Sequence, residues 1–279
     1  MTAATFAPPH TPLDRLDTQM RAEGYAVLSA ADVARWTGVP PDALDALRAS
    51  WDGLPPDEYL RDGGRYRRRR HACFVADGAG IRQVPHRAHW QPVEYNALHG
   101  GMERWFAPML QETVDAPAWD RLLRALAALA PRMRPTDADG APERPAGAGP
   151  WFVEAHQFRI DTTDGIGRPT PEGAHRDGVD LVAVFLVGRH GIKGGETRVF
   201  EAHGPRGSRF TLTEPWSVLL LDDARTIHES TPIQPLVSAQ EAGGGGAGGA
   251  AWRDTLVVTL RAGGFQGDDA PRPAEAAAE

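Results

Sequence analysis

The chain has 279 residues, 41% of them hydrophobic and eight of them Trp, with a formal net charge of −7. That apolar content supplies one sizeable core and excludes a wholly disordered chain. The acidic balance excludes a bulk electrostatic partner such as nucleic acid, whose phosphates need a basic surface.

Met1 to Leu13 is rich in Pro, Thr and Ala and lacks the charged-then-apolar order of a signal peptide. Residues 1–20 are expected to form a flexible tail. Residues 21–135 read as mixed helix and strand. A Pro-Pro pair starts a helix over Asp42–Trp51, and Leu122, Leu123, Leu126 and Leu129 recur at helical spacing in Trp119–Met133. The run Arg67-Arg68-Arg69-Arg70 reads as a solvated turn or strand edge, with anion binding or domain packing as the alternative. The lone cysteine, Cys73, lies in His71-Ala72-Cys73-Phe74-Val75 and reads as a small core residue. One cysteine rules out an intrachain disulfide framework and fits a reducing compartment. No apolar stretch reaches the roughly 18 residues of a membrane helix. A soluble, cytoplasmic protein that acts away from membranes is expected.

A polar loop rich in Pro, Gly and Ala spans Pro135–Pro150. From Trp151 the helical period gives way to short β-rich runs: Trp151–Asp161, Val179–Gly188, Glu196–Ala202, Arg209–Thr213, Trp216–Asp222, Thr226–Pro232 and Asp254–Ala262. Such runs, separated by Gly and Pro turns, suggest a jelly-roll core over 151–262. The Gly-rich loop 238–251 reads as flexible, and the tail 267–279 as disordered. Residues 21–266 then form a single domain, mainly β with flanking helices.

Ala174-His175-Arg176-Asp177-Gly178 carries the chemistry. In an extended chain residues i and i+2 share a face, so His175 and Asp177 can reach one ion. His228, late in the β-rich region, supplies a third ligand. Two imidazoles and a carboxylate leave coordination positions open, which suits iron(II) with a bidentate co-substrate and O₂. A structural zinc site would close its shell with four ligands, commonly thiolates. His228-Glu229 is no zinc-protease helix, because Pro232 stands where the second His belongs. On the last run Arg253 and Thr255 share a face, and a guanidinium fork beside a hydroxyl is a receptor for the distal carboxylate of 2-oxoglutarate. His71, His86, His89, His99, His190 and His203 read mostly as surface or packing residues. On Trp151–Asp161, His156 and Phe158 are expected to face a core, leaving Gln157 and Arg159 to a polar substrate pocket.

The segments Pro169–Gly178, Gly194-Gly195-Glu196-Thr197, Leu220–Asp223, His228–Ile233 and Arg253-Asp254 together resemble the 2-oxoglutarate–iron dioxygenases that include bacterial L-isoleucine 4-hydroxylase. Upstream, Gln91–Asn96, Gly100–Arg104 and His156–Ile160 are similar to the same group, so the resemblance covers roughly residues 60–262. It implies a double-stranded β-helix (cupin-like) core and hydroxylation of a free L-amino acid with Fe(II), 2-oxoglutarate and O₂, ascorbate serving as reductant in vitro. It places the metal triad on His175, Asp177 and His228 and the co-substrate arginine on Arg253. Asn96 and Arg104 become substrate-binding candidates on resemblance alone. The same chemistry on a peptide or another small molecule is an alternative. A non-oxidative metal-dependent cupin-like enzyme or a small-acid-binding barrel is a more distant one.

Overall fold

A computed structural model describes residues 6–133, 149–236 and 251–268. The strands, in chain order, are β1 (Tyr25–Leu28), β2 (Arg67–Asp77), β3 (Gly80–Gln83), β4 (Trp151–Asp161), β5 (Leu181–His190), β6 (Ile192–Gly194), β7 (Thr197–Glu201), β8 (Gly207–Phe210), β9 (Val218–Asp222), β10 (Thr226–Ser230), β11 (Ile233–Pro235) and β12 (Trp252–Ala262). The helices are α1 (Leu16–Glu23), α2 (Ala30–Thr37), α3 (Pro41–Ala46), α4 (Gln111–Val114) and α5 (Pro117–Leu129).

Seven strands form one antiparallel sheet in the order β1-β9-β5-β12-β4-β2-β3. A second layer comprises β10-β7-β8 and β11-β6. Isolated bridges His175–His228 and Gly167–Ile233 extend that layer through the segment between β4 and β5. This is the expected double-stranded β-helix.

The period of two divides the large sheet into faces of different chemistry. Outward residues such as Leu256, Val258, Ala183 and Phe185 join Leu44, Trp51, Trp119, Leu122 and Leu126 of the flanking helical segments in one apolar core. Between the layers, Val182, Leu186, Leu219 and Leu221 pack with Val199 and Phe210 and close one end of the barrel. The remaining inward face is polar. It aligns Arg67, Arg69, His71 and Cys73 of β2 with Ile160, Phe158, His156 and Glu154 of β4. Those pair in turn with Arg253, Thr255, Val257 and Thr259 of β12.

Two expectations are corrected. The segment before residue 20 is not a loose tail where it is described. Thr11 donates to the Val27 carbonyl at 2.7 Å, and Leu16 and Met20, four apart on α1, sit in the apolar core. The Pro and Thr content of the first residues masks that helical pair. The arginine run is not a solvated edge but the start of an interior strand. Arg67 and Arg69 are 5% and 4% exposed, because alternation sends every second residue inward whatever its charge. Of the loop 135–150, the Gly-rich loop 238–251 and the tail 267–279, all but residues 149–150, 251 and 267–268 lie outside the described residues. Among the described residues no helix is long and apolar enough to cross a membrane.

Candidate metal centre and its cavity

His175 and His228 face each other across the second layer, exchanging backbone hydrogen bonds of 3.0 and 2.9 Å. Their rings lie 4.6 Å apart. His175 Nδ1 is 2.9 Å from the Gly173 carbonyl oxygen. Donation there fixes the tautomer and leaves Nε2 as a free lone pair. Asp177 stands 3.7 Å from His175 Nε2 through Oδ1 and 3.8 Å from His228 Nε2 through Oδ2. One ligand atom from each residue falls within 4.8 Å of the others. These gaps are too long for hydrogen bonds and short enough for one ion to bridge.

The loop carrying His175 and Asp177 is held from behind. The Asp223 carboxylate accepts backbone N–H groups from Asp177 (3.0 Å), Gly178 (2.7 Å) and Val179 (3.1 Å). Gln266 donates to the carbonyls of Asp177 and Gly178, both at 2.8 Å. Gly178 has φ +77°, and a Cβ there would meet the Tyr95 ring at 2.4 Å, so only glycine makes this turn without strain. Gln91 donates to Asp177 Oδ1 at 3.2 Å while its own Oε1 accepts from Arg104 and Asn96.

Electrostatics suit a cation here. Burial and the neighbouring His175 push His228 down to about 3, so it is neutral and able to ligate. Burial opposes charge on His175, but the Asp177 and Glu172 carboxylates outweigh it and raise its pKa. Burial, with Glu172, raises Asp177 despite His175. Burial and Asp177 raise Asp223 in the same way. Two carboxylates crowded together in the interior demand a compensating positive charge.

A second cluster lies on the inward sheet face. Glu154 Oε1 is 3.2 Å from both His71 Nε2 and His89 Nδ1, and His71 stacks on His156 at 4.5 Å. His71, His89 and His156, or His71, Cys73 and Glu154, also bring ligand atoms close enough to hold an ion. Arg69 Nη2 lies 2.7 Å from His156 Nδ1. A guanidinium donating into an imidazole occupies its lone pair and repels a further cation. His71 and His89 read as surface or packing residues in the sequence, but with His156 they form a buried network. Burial holds Cys73 well above the usual thiol range, which agrees with its reading as a core residue.

One cavity joins His175, Asp177 and His228 to Arg253, Thr255, Asn96 and Arg104. Of the sequence-derived substrate candidates, Gln157 and Arg159 do not line it. They lie on the opposite face, where Gln157 donates to Ser50 at 2.6 Å and Arg159 pairs with Asp254 at 2.7 Å. The reading assumed that apolar neighbours mark the core side of β4. Here the helix-covered face also houses an ion pair, and the cavity face carries His156 and Glu154. Arg67, Arg69, His89, Gln91 and Glu172 line the cavity as well, and of these the sequence offered a binding role only to the arginines, as the alternative reading of their run. The alternation along β2 is the one signal that could have found the two arginines.

Arg253 is buried at 3% exposure, and its Nε and Nη2 have no hydrogen-bond partner among the described residues. Burial and then the nearby Arg189 push it down to about 10. An unpaired buried guanidinium costs several kcal/mol unless an anion joins it. A carboxylate would match these two unpartnered donors in charge and planar geometry, and Thr255 lines the same cavity.

A family model described as 2OG-Fe dioxygenase matches residues 48–259. The fold resembles that of a bsmA homolog from Methylobium petroleophilum PM1, with 50% identity, a TM-score of 0.80 and coverage of 93% of this chain and 97% of that one. It also resembles IDO from Bacillus thuringiensis, at 16% identity, a TM-score of 0.68 and coverage of 90% and 99%. A third relative in fold is the Fe(II)/α-ketoglutarate-dependent dioxygenase TqaL, at 20% identity, a TM-score of 0.66 and coverage of 94% and 92%. A comparison with curated proteins finds no match. With more than half of its length matched by the family model, the chain belongs to the 2OG-Fe dioxygenase family.

Proposed function

We propose that this dioxygenase hydroxylates a free L-amino acid at an aliphatic side-chain carbon, with iron held by His175, Asp177 and His228 and 2-oxoglutarate held by Arg253 and Thr255. The family works with Fe(II), 2-oxoglutarate and O₂. The observation that carries the assignment is the pairing, in one cavity, of a three-ligand cluster with a buried arginine that has no counterion among the described residues. The cluster around His71 and His89 is the poorer iron site, because Arg69 already donates into His156.

When bound, iron and 2-oxoglutarate supply the oxidising power: one atom of O₂ enters the substrate and the other enters succinate, with loss of CO₂. The chain's own residues do the positioning. His228, and His175 once it gives up its proton, would present neutral nitrogens, and Asp177 would supply the negative charge. A carboxylate in that place leaves no position for a halide, so hydroxylation is favoured over halogenation. Val179, Val184 and Val257 give the cavity an apolar wall that excludes water. Resemblance to the group containing L-isoleucine 4-hydroxylase supports an amino acid over a peptide. The single buried cysteine supports a reducing, cytoplasmic location.

The test is succinate release with Fe(II), 2-oxoglutarate and ascorbate against the twenty L-amino acids, followed by mass spectrometry for the gain of one oxygen. Absence of product from every amino acid sinks the substrate reading while leaving the cofactor reading standing. Asp177→Ala is expected to abolish succinate formation; full turnover in that variant sinks the triad.

A further inference from the structure

We infer that Arg67, Arg69 and Arg104 form a second anion receptor, distinct from Arg253, which binds a carboxylate of the substrate. This rests on the placement of 2-oxoglutarate at Arg253 and names the substrate class as a small acid.

Three guanidiniums converge on the cavity wall. Arg67 and Arg69 come from consecutive inward positions of β2, and Arg104 comes from the irregular segment that covers the barrel mouth. Asp57 is their dedicated counterion. Its carboxylate accepts from Arg67 Nε at 2.7 Å and lies 3.7 Å from Arg69 Nη1. Two further acids face them: Glu172, 3.6 Å from His175 Nε2, and Glu154, engaged by His71 and His89. Arg104 has a neutral partner, Gln91, at 2.9 Å. Of these acids only Asp57 is paired directly with the guanidiniums, in a place water barely reaches. Burial first, and then mutual repulsion, pull Arg69 and Arg104 below the usual guanidinium range.

Donors are left over as well. Arg67 Nη2, Arg69 Nε and Arg104 Nε are buried without a partner among the described residues. Each such group carries a desolvation cost of roughly 1–3 kcal/mol, more when charged. The fork is also rigid: Arg69 is clamped between the Phe106 ring at 3.6 Å and the Phe158 ring at 4.3 Å. Pre-oriented planar cationic donors without partners are a receptor for a carboxylate.

The site is separate from Arg253. Arg67 and Arg253 occupy the same rung of the sheet, with Ile160 of β4 between them. Two strand spacings put them about 10 Å apart. A co-substrate docked on Arg253 leaves the three-arginine pole vacant for a second acid. Arg104 is one amide away from the metal ligand, through Gln91 to Asp177, so an acid bound there sits beside the iron.

Anaerobic calorimetry on the Fe(II)-loaded enzyme with 2-oxoglutarate present tests this, using the twenty L-amino acids and the carboxamide of each one that binds. At least one acid is expected to bind, and its carboxamide about 100-fold more weakly. Arg104→Met should weaken the acid by a similar factor and change 2-oxoglutarate affinity less than threefold, with Arg69→Met as the second variant and circular dichroism confirming the fold of both. Arg253→Leu should do the reverse. Equal binding of acid and carboxamide overturns the inference, as does loss of 2-oxoglutarate affinity in Arg104→Met. So does binding of 2-oxoglutarate but of no amino acid. Failure of the wild type to bind 2-oxoglutarate at all refutes the underlying cofactor placement, and the inference with it.

Discussion

Asp223 is the residue whose substitution most cleanly tests how the metal loop is held. It is fully buried and accepts three backbone N–H groups, from Asp177, Gly178 and Val179. Asp223→Asn keeps the shape but exchanges one acceptor oxygen for an N–H₂ group. The least costly orientation keeps the amide oxygen on Gly178 and Val179 and turns the N–H₂ toward the Asp177 N–H. One charge-assisted bond is then lost, worth about 1.5–3 kcal/mol, and two donors confront each other. Removal of the Asp223 charge also relieves its repulsion with Asp177, which offsets part of that loss in the metal-free protein. Metal binding gains nothing from this relief, because a dication favours both carboxylates. Expected outcomes are a stability loss of about 2 kcal/mol by urea unfolding and a 10–100-fold weaker affinity for Fe(II) by anaerobic calorimetry. Metal affinity within twofold of wild type, in a variant with the stability loss, would show that the loop does not need Asp223 to present its ligands. No change in either measurement would refute the three bonds themselves.

Gly178→Ala places a methyl group against Tyr95 at positive φ; unfolding free energy should fall by about 1–3 kcal/mol, with weaker Fe(II) binding, both read by calorimetry. Arg253→Leu should raise the 2-oxoglutarate Kd by about 30-fold or more, measured by titration of the Fe(II)-loaded enzyme. Fe(II) affinity should fall with falling pH: His175 titrates above its ordinary 6.5 and must lose its proton to ligate, so affinity is full above that folded pKa and is lost as pH drops through it. Calorimetry in two buffers of different ionisation enthalpy should show proton release on binding. Arg104→Met removes a buried cation repelled by Arg67 and should leave the urea midpoint unchanged or higher, whereas a loss above about 2 kcal/mol would mean that Arg104 is structural.

The sequence discloses the site where chemistry is concentrated in short segments. His175 and Asp177 are two residues apart, and the Asp222–Pro232 stretch frames His228, so no knowledge of topology is needed to group them. The run read at Trp151–Asp161 coincides with β4, because its aromatic and β-branched residues, uninterrupted by Gly or Pro, suit a pleated strand. Other parts depend on which strands become neighbours. The pairing of His71 with His156, and of Cys73 with Glu154, follows from the β2–β4 register, to which no local pattern points. Gln91, Asn96, His99 and Arg104 lie in an irregular segment without periodicity, where Arg104 and Asn96 donate to Gln91 and Gln91 in turn donates to Asp177. The arginine run misleads for a physical reason: four like charges suggest solvent, yet the strand period places two of them inside.

That inversion explains how one sheet serves stability and function at once. On β12, Leu256, Val258 and Leu260 are fully buried against the helices, while Thr255, Val257 and Thr259 alternate with them toward the cavity. Burial of such an aliphatic side chain contributes about 1.5–3 kcal/mol, so the outer face supplies the cohesion. The inner face works against it. Buried guanidiniums, an engaged glutamate and three neutral imidazoles are no better for stability than aliphatic residues of the same volume, and are often worse. A face that only had to fold would carry leucines on both sides. On the proposed assignments, the arginines, histidines and carboxylates on the cavity side would hold a metal, a 2-oxoglutarate and, at Arg67, Arg69 and Arg104, the acid to be oxidised. Because the sheet is packed on an apolar core behind, these groups keep their orientation without ligands, as the proposed site for two acids and an ion requires.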